Sequence, residues 1–122
     1  MRLYTSSFWS FRGPGRVCIA RLPPRRAPAG YRMYRALAPH PTMLKLPFEA
    51  YRARYLAEIL DPLDPQQVVI DVVALAGTEE VHLQCYENLA IPGKWCHRRL
   101  VADWLHERLG LAVDEWTDRP DA

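Results

Sequence analysis

Residues 81–87 alternate apolar and polar positions, with Val81, Leu83 and Cys85 on one side and His82, Gln84 and Glu87 among the polar remainder. The alternation predicts a strand, broken after it by Pro92-Gly93. Two further strands are expected at residues 2–8 and 16–22, the second an apolar run held between Gly13-Pro14-Gly15 and Pro23-Pro24. Phe48, Tyr51, Tyr55, Leu56, Ile59 and Leu60 recur at helical spacing and predict an amphipathic helix of about three turns. Asp64-Pro65-Gln66-Gln67 supplies an N-cap and a first-turn proline, and Gly77 a stop, so residues 65–76 read as a helix. The β-branched residues Val68, Val69, Ile70, Val72 and Val73 leave a strand as the alternative there. Leu100, Val101, Trp104, Leu105 and Leu109 share one face of a helix over residues 97–109, capped by Gly110, and residues 111–116 read as a closing strand.

Between positions 23 and 47 the hydrophobic residues follow neither period, and seven prolines and glycines interrupt the chain. A long loop is expected there, with one helical turn around residues 32–37. Strands interleaved with helices predict an α/β domain over residues 1–122, a mainly parallel sheet of three to five strands in a small three-layer arrangement flanked by helices. In such sheets ligands gather outside the carboxyl ends of the strands.

Composition adds limits. With 122 residues, 49% of them apolar and 25% charged, the chain is long enough for one core and too apolar for disorder as its default state. No run approaches the ~18 apolar residues of a spanning helix, and no signal core follows Met1, so a soluble, unexported protein without a membrane partner is expected. Three cysteines leave one over from any pairing and do not form a secreted framework, which points to a reducing cytoplasm. The net charge of +2 conceals an asymmetry: nine basic residues and no acidic one precede Glu49, whereas from Glu49 onward there are seven basic and fourteen acidic residues. The prolines and glycines of the basic half forbid the amphipathic helix of an organellar transit peptide.

Chemistry concentrates where the 81–87 strand ends and the 97–109 helix begins. Cys85, Tyr86 and Glu87 close the strand; Cys96, His97, Arg98 and Arg99 open the helix. A cysteine at a helix N-terminus beside arginines has its thiolate favoured, and the unpaired amides there hold anions. The expected site is therefore a pocket for an anionic small molecule such as a nucleotide or phosphorylated metabolite. Glu87 would be its general base, Cys96 its nucleophile with His97 beside it, and Arg21, Cys85, Arg98 and Arg99 its ligand-binding groups.

The pair formed by Cys85-x-Glu87 and Cys96-His97-Arg98 resembles the signature of domain-of-unknown-function family 488, in which a strand ending in Cys-x-Glu meets a helix beginning Cys-His-Arg. Leu3-Tyr4-Thr5 is similar to that family's opening strand and residues 17–21 to its second, which often ends in Asp-Val-Arg; Arg21 is kept here, and Ile19 stands in place of the acid. The resemblance covers most of the chain in order. It implies a compact cytoplasmic α/β domain with a pocket, and it supplies no reaction.

Other readings stay open. Cys85, Cys96 and His97 are a sensible zinc set, but neighbours on a helix point about 100° apart, so no metal ligand is assigned. A phosphatase-type loop needs an arginine within six residues of its cysteine, whereas Cys85 meets none before Arg98 and the interval contains Pro92. In the basic half, Tyr4, Phe8, Trp9, Phe11, Tyr31 and Tyr34 lie among arginines, the composition of a single-strand nucleic-acid groove, although Tyr4, Phe8 and Trp9 read better as core. A protein-interaction module is the last alternative. Trp104 is expected in the core and His82 and His106 in solvent; Trp95, in the site loop, reads either way, and His40 supports no assignment. No cofactor and no oligomeric state can be read from the sequence.

Overall fold

The computed structural model describes residues 1–23, 25–87, 89 and 93–117; Pro24 and Pro92, which the sequence marks as chain breaks, lie outside them. Five strands form one all-parallel sheet: β1 (Arg2–Ser7), β2 (Arg16–Cys18), β3 (Arg32–Met33), β4 (Glu80–Cys85) and β5 (Val113–Glu115), in the order β3-β2-β4-β1-β5. The helices are α1 (Phe48–Arg54), which runs on as a π-helical stretch over Tyr55–Leu60, α2 (Pro65–Ala76) and α3 (His97–Leu109). The small α/β domain expected from the pattern is thus observed, with its sheet wholly parallel.

The strand order dictates which face each connection covers. From β1 the chain steps two places one way to β2 and one more to β3; the steps from β3 to β4 and from β4 to β5 run the opposite way. Right-handed crossovers put connections of opposite direction on opposite faces. The contacts agree. Buried side chains of α1, the π stretch, α2 and α3 share one core with Leu3, Val17, Ile19, Val81, Leu83 and Val113. On the other face lie loops: the Phe11 ring stacks 3.4 Å from that of His82, and the Arg16 guanidinium donates to the carbonyls of Gly13, Pro28 and Ala29.

That second layer overturns the solvent-facing placement of His82, which is fully buried. Its Nδ1 lies 3.2 Å from Ser6 Oγ and its Nε2 3.0 Å from Glu80 Oε1, while Tyr4 and Trp116 pack around the ring. A strand that alternates polar and apolar residues reads as half-solvated, but in a parallel sheet both faces are covered. Trp9 is corrected in the opposite sense, being 50% exposed just past the end of β1, whereas Phe8 and Trp104 are buried. His106 is exposed, as expected.

Local chemistry accounts for the element ends. Asp64 Oδ1 accepts from Gln66 N at 3.0 Å, Pro65 opens α2, and Gly77 closes it at φ 68°, so the helix prevails over the strand alternative. β2 stops four residues earlier than the apolar run: Ile19 N still donates to Gln84 O at 3.0 Å, after which Arg21 and Leu22 turn outward. The long loop holds a two-residue edge strand, β3, ahead of the expected helical turn, which is a 3-10 turn at Arg35–Leu37; a second follows at Pro41–Met43, and the two bury Leu37 and Met43. Gly15, just before β2, sits at φ +92°, and a Cβ there would collide with the carbonyl oxygen of Glu80 and lie 2.6 Å from Thr78 Oγ1. Gly15→Ala is therefore expected to cost at least about 2 kcal/mol, read as a lowered urea midpoint at unchanged slope; an unshifted midpoint would show that β2 and β4 separate there without penalty.

Candidate functional site

A cavity of about 500 Å³ opens at the carboxyl ends of β2 and β4. Cys85, at the end of β4, and Cys96 and His97, at the start of α3, form part of its wall, with Arg21, Glu87 and Lys94 also lining it. Apolar surface from Leu22, Leu44, Tyr51, Tyr86 and Trp95 supplies the rest. Trp95 is held edge-on to Phe48 and Tyr51, so α1 shapes this side. Five residues singled out in the sequence therefore meet at one cleft: Arg21, Cys85, Glu87, Cys96 and His97.

Cys96 is the N-cap of α3 and has extended backbone, φ −148° and ψ 149°. It is not yet on the helix. The 100° divergence of helical neighbours therefore does not apply, and Cys96 Sγ lies 3.6 Å from His97 Nδ1. Across the cleft its sulfur is in direct contact with that of Cys85, the pairing of a disulfide, with Cα atoms 7.1 Å apart. Cys18 is the free cysteine, buried under the other sheet face, and burial pushes its thiol up.

The tautomer of His97 follows from its partners. Nε2 lies 2.7 Å from the carbonyl oxygen of Ile19, which can only accept, so Nε2 carries the proton and donates. The neutral ring then presents a lone pair on Nδ1 toward Cys96. Burial, reinforced by the nearby Arg98 charge and opposed by the Ile19 hydrogen bond, holds His97 down to about 4.

Arg98 and Arg99 do not face the cleft. Arg98 is completely buried beneath it: Nε and Nη2 grip Glu115 at 3.0 and 2.8 Å, Nη2 also donates to the Glu87 carbonyl at 2.7 Å, and Nη1 lies 3.3 Å from Cys85 Sγ. Its donors are committed within the protein, which corrects its placement as the ligand's anion donor. It ties β5, the end of β4 and the start of α3 together and sets one donor on the Cys85 sulfur. Arg99 donates to Thr5 Oγ1 and the Val113 carbonyl at 2.8 and 2.9 Å, bracing the β1–β5 edge in place of a ligand. Glu115 was missed because an acid near the chain's end looks solvated; its inward register, two residues beyond buried Val113, was the available signal.

At the mouth, Arg21 is exposed, and Lys94 Nζ stands 3.8 Å from Glu87 Oε2 with both side chains about half in water, a pair that contributes little to stability. Lys94 carried no sequence signal beyond its place in the loop. The basic loop residues Arg25, Arg26, Arg32 and Arg35 are exposed, while Arg16 is withdrawn into the fold. Among the described residues no helix is long and apolar enough to cross a membrane.

Neither the curated proteins nor the solved structures contain a match to the chain. A family model described as the active DUF488-N3 subclade matches residues 12–109, a span that includes β2 to β4, the whole cleft and all of α3. The chain accordingly belongs to domain-of-unknown-function family 488.

Proposed function

We propose that the cleft binds an anionic small molecule of the nucleotide or phosphorylated-metabolite class and brings its reacting end to Cys85, Cys96 and His97. The observation that carries this reading is the cleft's division of labour: cationic Arg21 and Lys94 and the carboxylate of Glu87 at the mouth, apolar and aromatic walls, and a sulfur–imidazole floor. A volume of about 500 Å³ suits a ligand of mononucleotide size. Two cations against one carboxylate leave the mouth net positive, and the Arg98–Glu115 pair below is neutral. Leu22, Leu44 and Tyr86, each at least half exposed, offer apolar surface on which a base can rest. Glu87, the one carboxylate lining the cleft among the described residues, is the acid–base group within reach of a bound ligand.

A thermal-shift screen of the reduced protein against nucleoside phosphates and sugar phosphates tests it. A ligand at 100 times its Kd should raise Tm by on the order of 10 °C. Arg21→Ala and Lys94→Ala should each weaken binding, and Glu87→Gln should leave binding intact while abolishing any turnover. Silence across the panel, with RNA binding that falls steeply with salt and is lost on changing Arg25, Arg26, Arg32 and Arg35, would replace this reading by the nucleic-acid one.

A further inference from the structure

We propose that Cys85, Cys96 and His97 form a three-ligand site for a thiophilic divalent metal ion, zinc before others, whose fourth position opens into the cleft. The two sulfurs and a ring nitrogen of His97 all lie within 4.8 Å of one another, and all three residues are buried. Two thiolates and one imidazole are a tetrahedral zinc set, and three protein ligands with an open fourth position is the arrangement that admits a substrate or water.

Three features of the surroundings support the assignment independently. First, His97 is oriented as metal-bound histidines are: the ring nitrogen remote from the sulfurs donates to a backbone carbonyl, which fixes the tautomer and turns the Nδ1 lone pair toward them. Second, the backbone spacing fits. Cα atoms 7.1 Å apart exceed the roughly 4.4–6.8 Å over which two cysteines are normally bridged, whereas thiolates at about 2.3 Å from one tetrahedral ion stand about 3.8 Å from each other. With both thiols reduced, side-chain rotation would open the sulfur contact to that separation. Third, the charges close: Arg98 beside the Cys85 sulfur is neutralised by Glu115, so two thiolates and a divalent ion leave the buried floor without net charge. The neighbouring Arg98 donor also matches the hydrogen bonding to a thiolate that outer-shell groups supply.

Only the role of the fourth position rests on the reading of the cleft as a ligand site; the three protein ligands stand without it. An anionic ligand entering past Arg21 and Lys94 would meet the ion with a phosphate or carboxylate oxygen.

The test uses the full chain, reduced, stripped of metal and kept free of oxygen. Titration with Co²⁺ should saturate at one equivalent, with thiolate-to-cobalt charge transfer and intense tetrahedral ligand-field bands that Zn²⁺ displaces. Cys85→Ser and Cys96→Ser should each reduce affinity by more than the roughly 10–100-fold that loss of an outer-shell partner costs. His97→Gln should weaken binding while keeping the charge-transfer band, and Cys18→Ser should change nothing. As a check that needs no variant, Zn²⁺ should protect two of the three thiols of the native chain from alkylation. Absence of a charge-transfer band in the native chain, or its persistence unchanged in Cys85→Ser, overturns the proposal. So does equal alkylation with and without Zn²⁺. Repeating the phosphate-ligand screen on metal-free and Zn²⁺-loaded protein separates the two ideas: an ion bound with no ligand shift removes the ligand reading alone, and a ligand shift with no ion removes the metal alone.

Discussion

Arg98→Met should lower folding stability by about 3 kcal/mol, the largest single effect expected in this chain. The guanidinium is wholly buried and its fork meets both oxygens of Glu115, a carboxylate that is itself only 22% exposed. Removing the cation leaves that carboxylate short of partners, along with the Glu87 carbonyl. Because Glu115 retains some water, the loss should fall at the lower end of the 3–5 kcal/mol typical of broken buried pairs. Arg98→Lys should recover only part of it, since a single ammonium cannot span the two oxygens and the Glu87 carbonyl together. The double variant Arg98→Met, Glu115→Leu should be more stable than Arg98→Met alone, which a cycle of urea denaturations measures directly. A loss under about 1 kcal/mol would mean that Glu115 swings into solvent and that the pair does not hold β5 to α3.

Acid should unfold the metal-free protein early, chiefly through His97. Its imidazole is held down to about 4 in the folded chain against an ordinary 6.5. Between those values the unfolded chain binds a proton that the folded chain refuses. Stability contributed by the neutral ring is therefore present above pH 6.5 and is lost as pH falls toward about 4, with roughly 3 kcal/mol at stake at up to ~1.4 kcal/mol per unit. His82, lowered by burial between Phe11 and the sheet, acts in the same direction below 6.5. Urea denaturation at several pH values should show this slope, and His97→Gln should flatten most of it relative to its own value at pH 7. An unchanged slope in that variant would place the acid sensitivity elsewhere.

Both effects arise from residues that stand in one short stretch, yet they differ in how far they could be foreseen. Cys85, Glu87, Cys96, His97 and Arg21 were legible as neighbours, because the strand-end and helix-start signals are local and a parallel sheet brings such ends to one edge. Arg98 and Arg99 were equally conspicuous and were misplaced. A helix turns by about 100° per residue, so consecutive side chains take different destinations, and the partners that claim them, Glu115 and Thr5, come from other strands, 17 and 94 residues away in the sequence. The zinc set was set aside by the same helical rule, which fails at Cys96 because an N-cap has extended backbone.

The chain's own pattern determined the elements: period two in β4, period 3.6 in α1 and α3, the Asp64-Pro65 start and Gly77 stop of α2, and hence a parallel α/β domain. Such signals are carried by neighbouring residues and by backbone conformation. Tertiary structure alone decided the strand order, the burial of His82 beneath Phe11, the exposure of Trp9, the contact of Cys85 with Cys96 and the commitment of Arg98 to Glu115. The strand order and the cover of Phe11 over His82 join groups far apart in sequence, and the Cys85–Cys96 and Arg98–Glu115 contacts depend on how segments of 11 and 17 residues fold back. Their meeting is set by which way successive crossovers run across the sheet, and no periodicity records that direction.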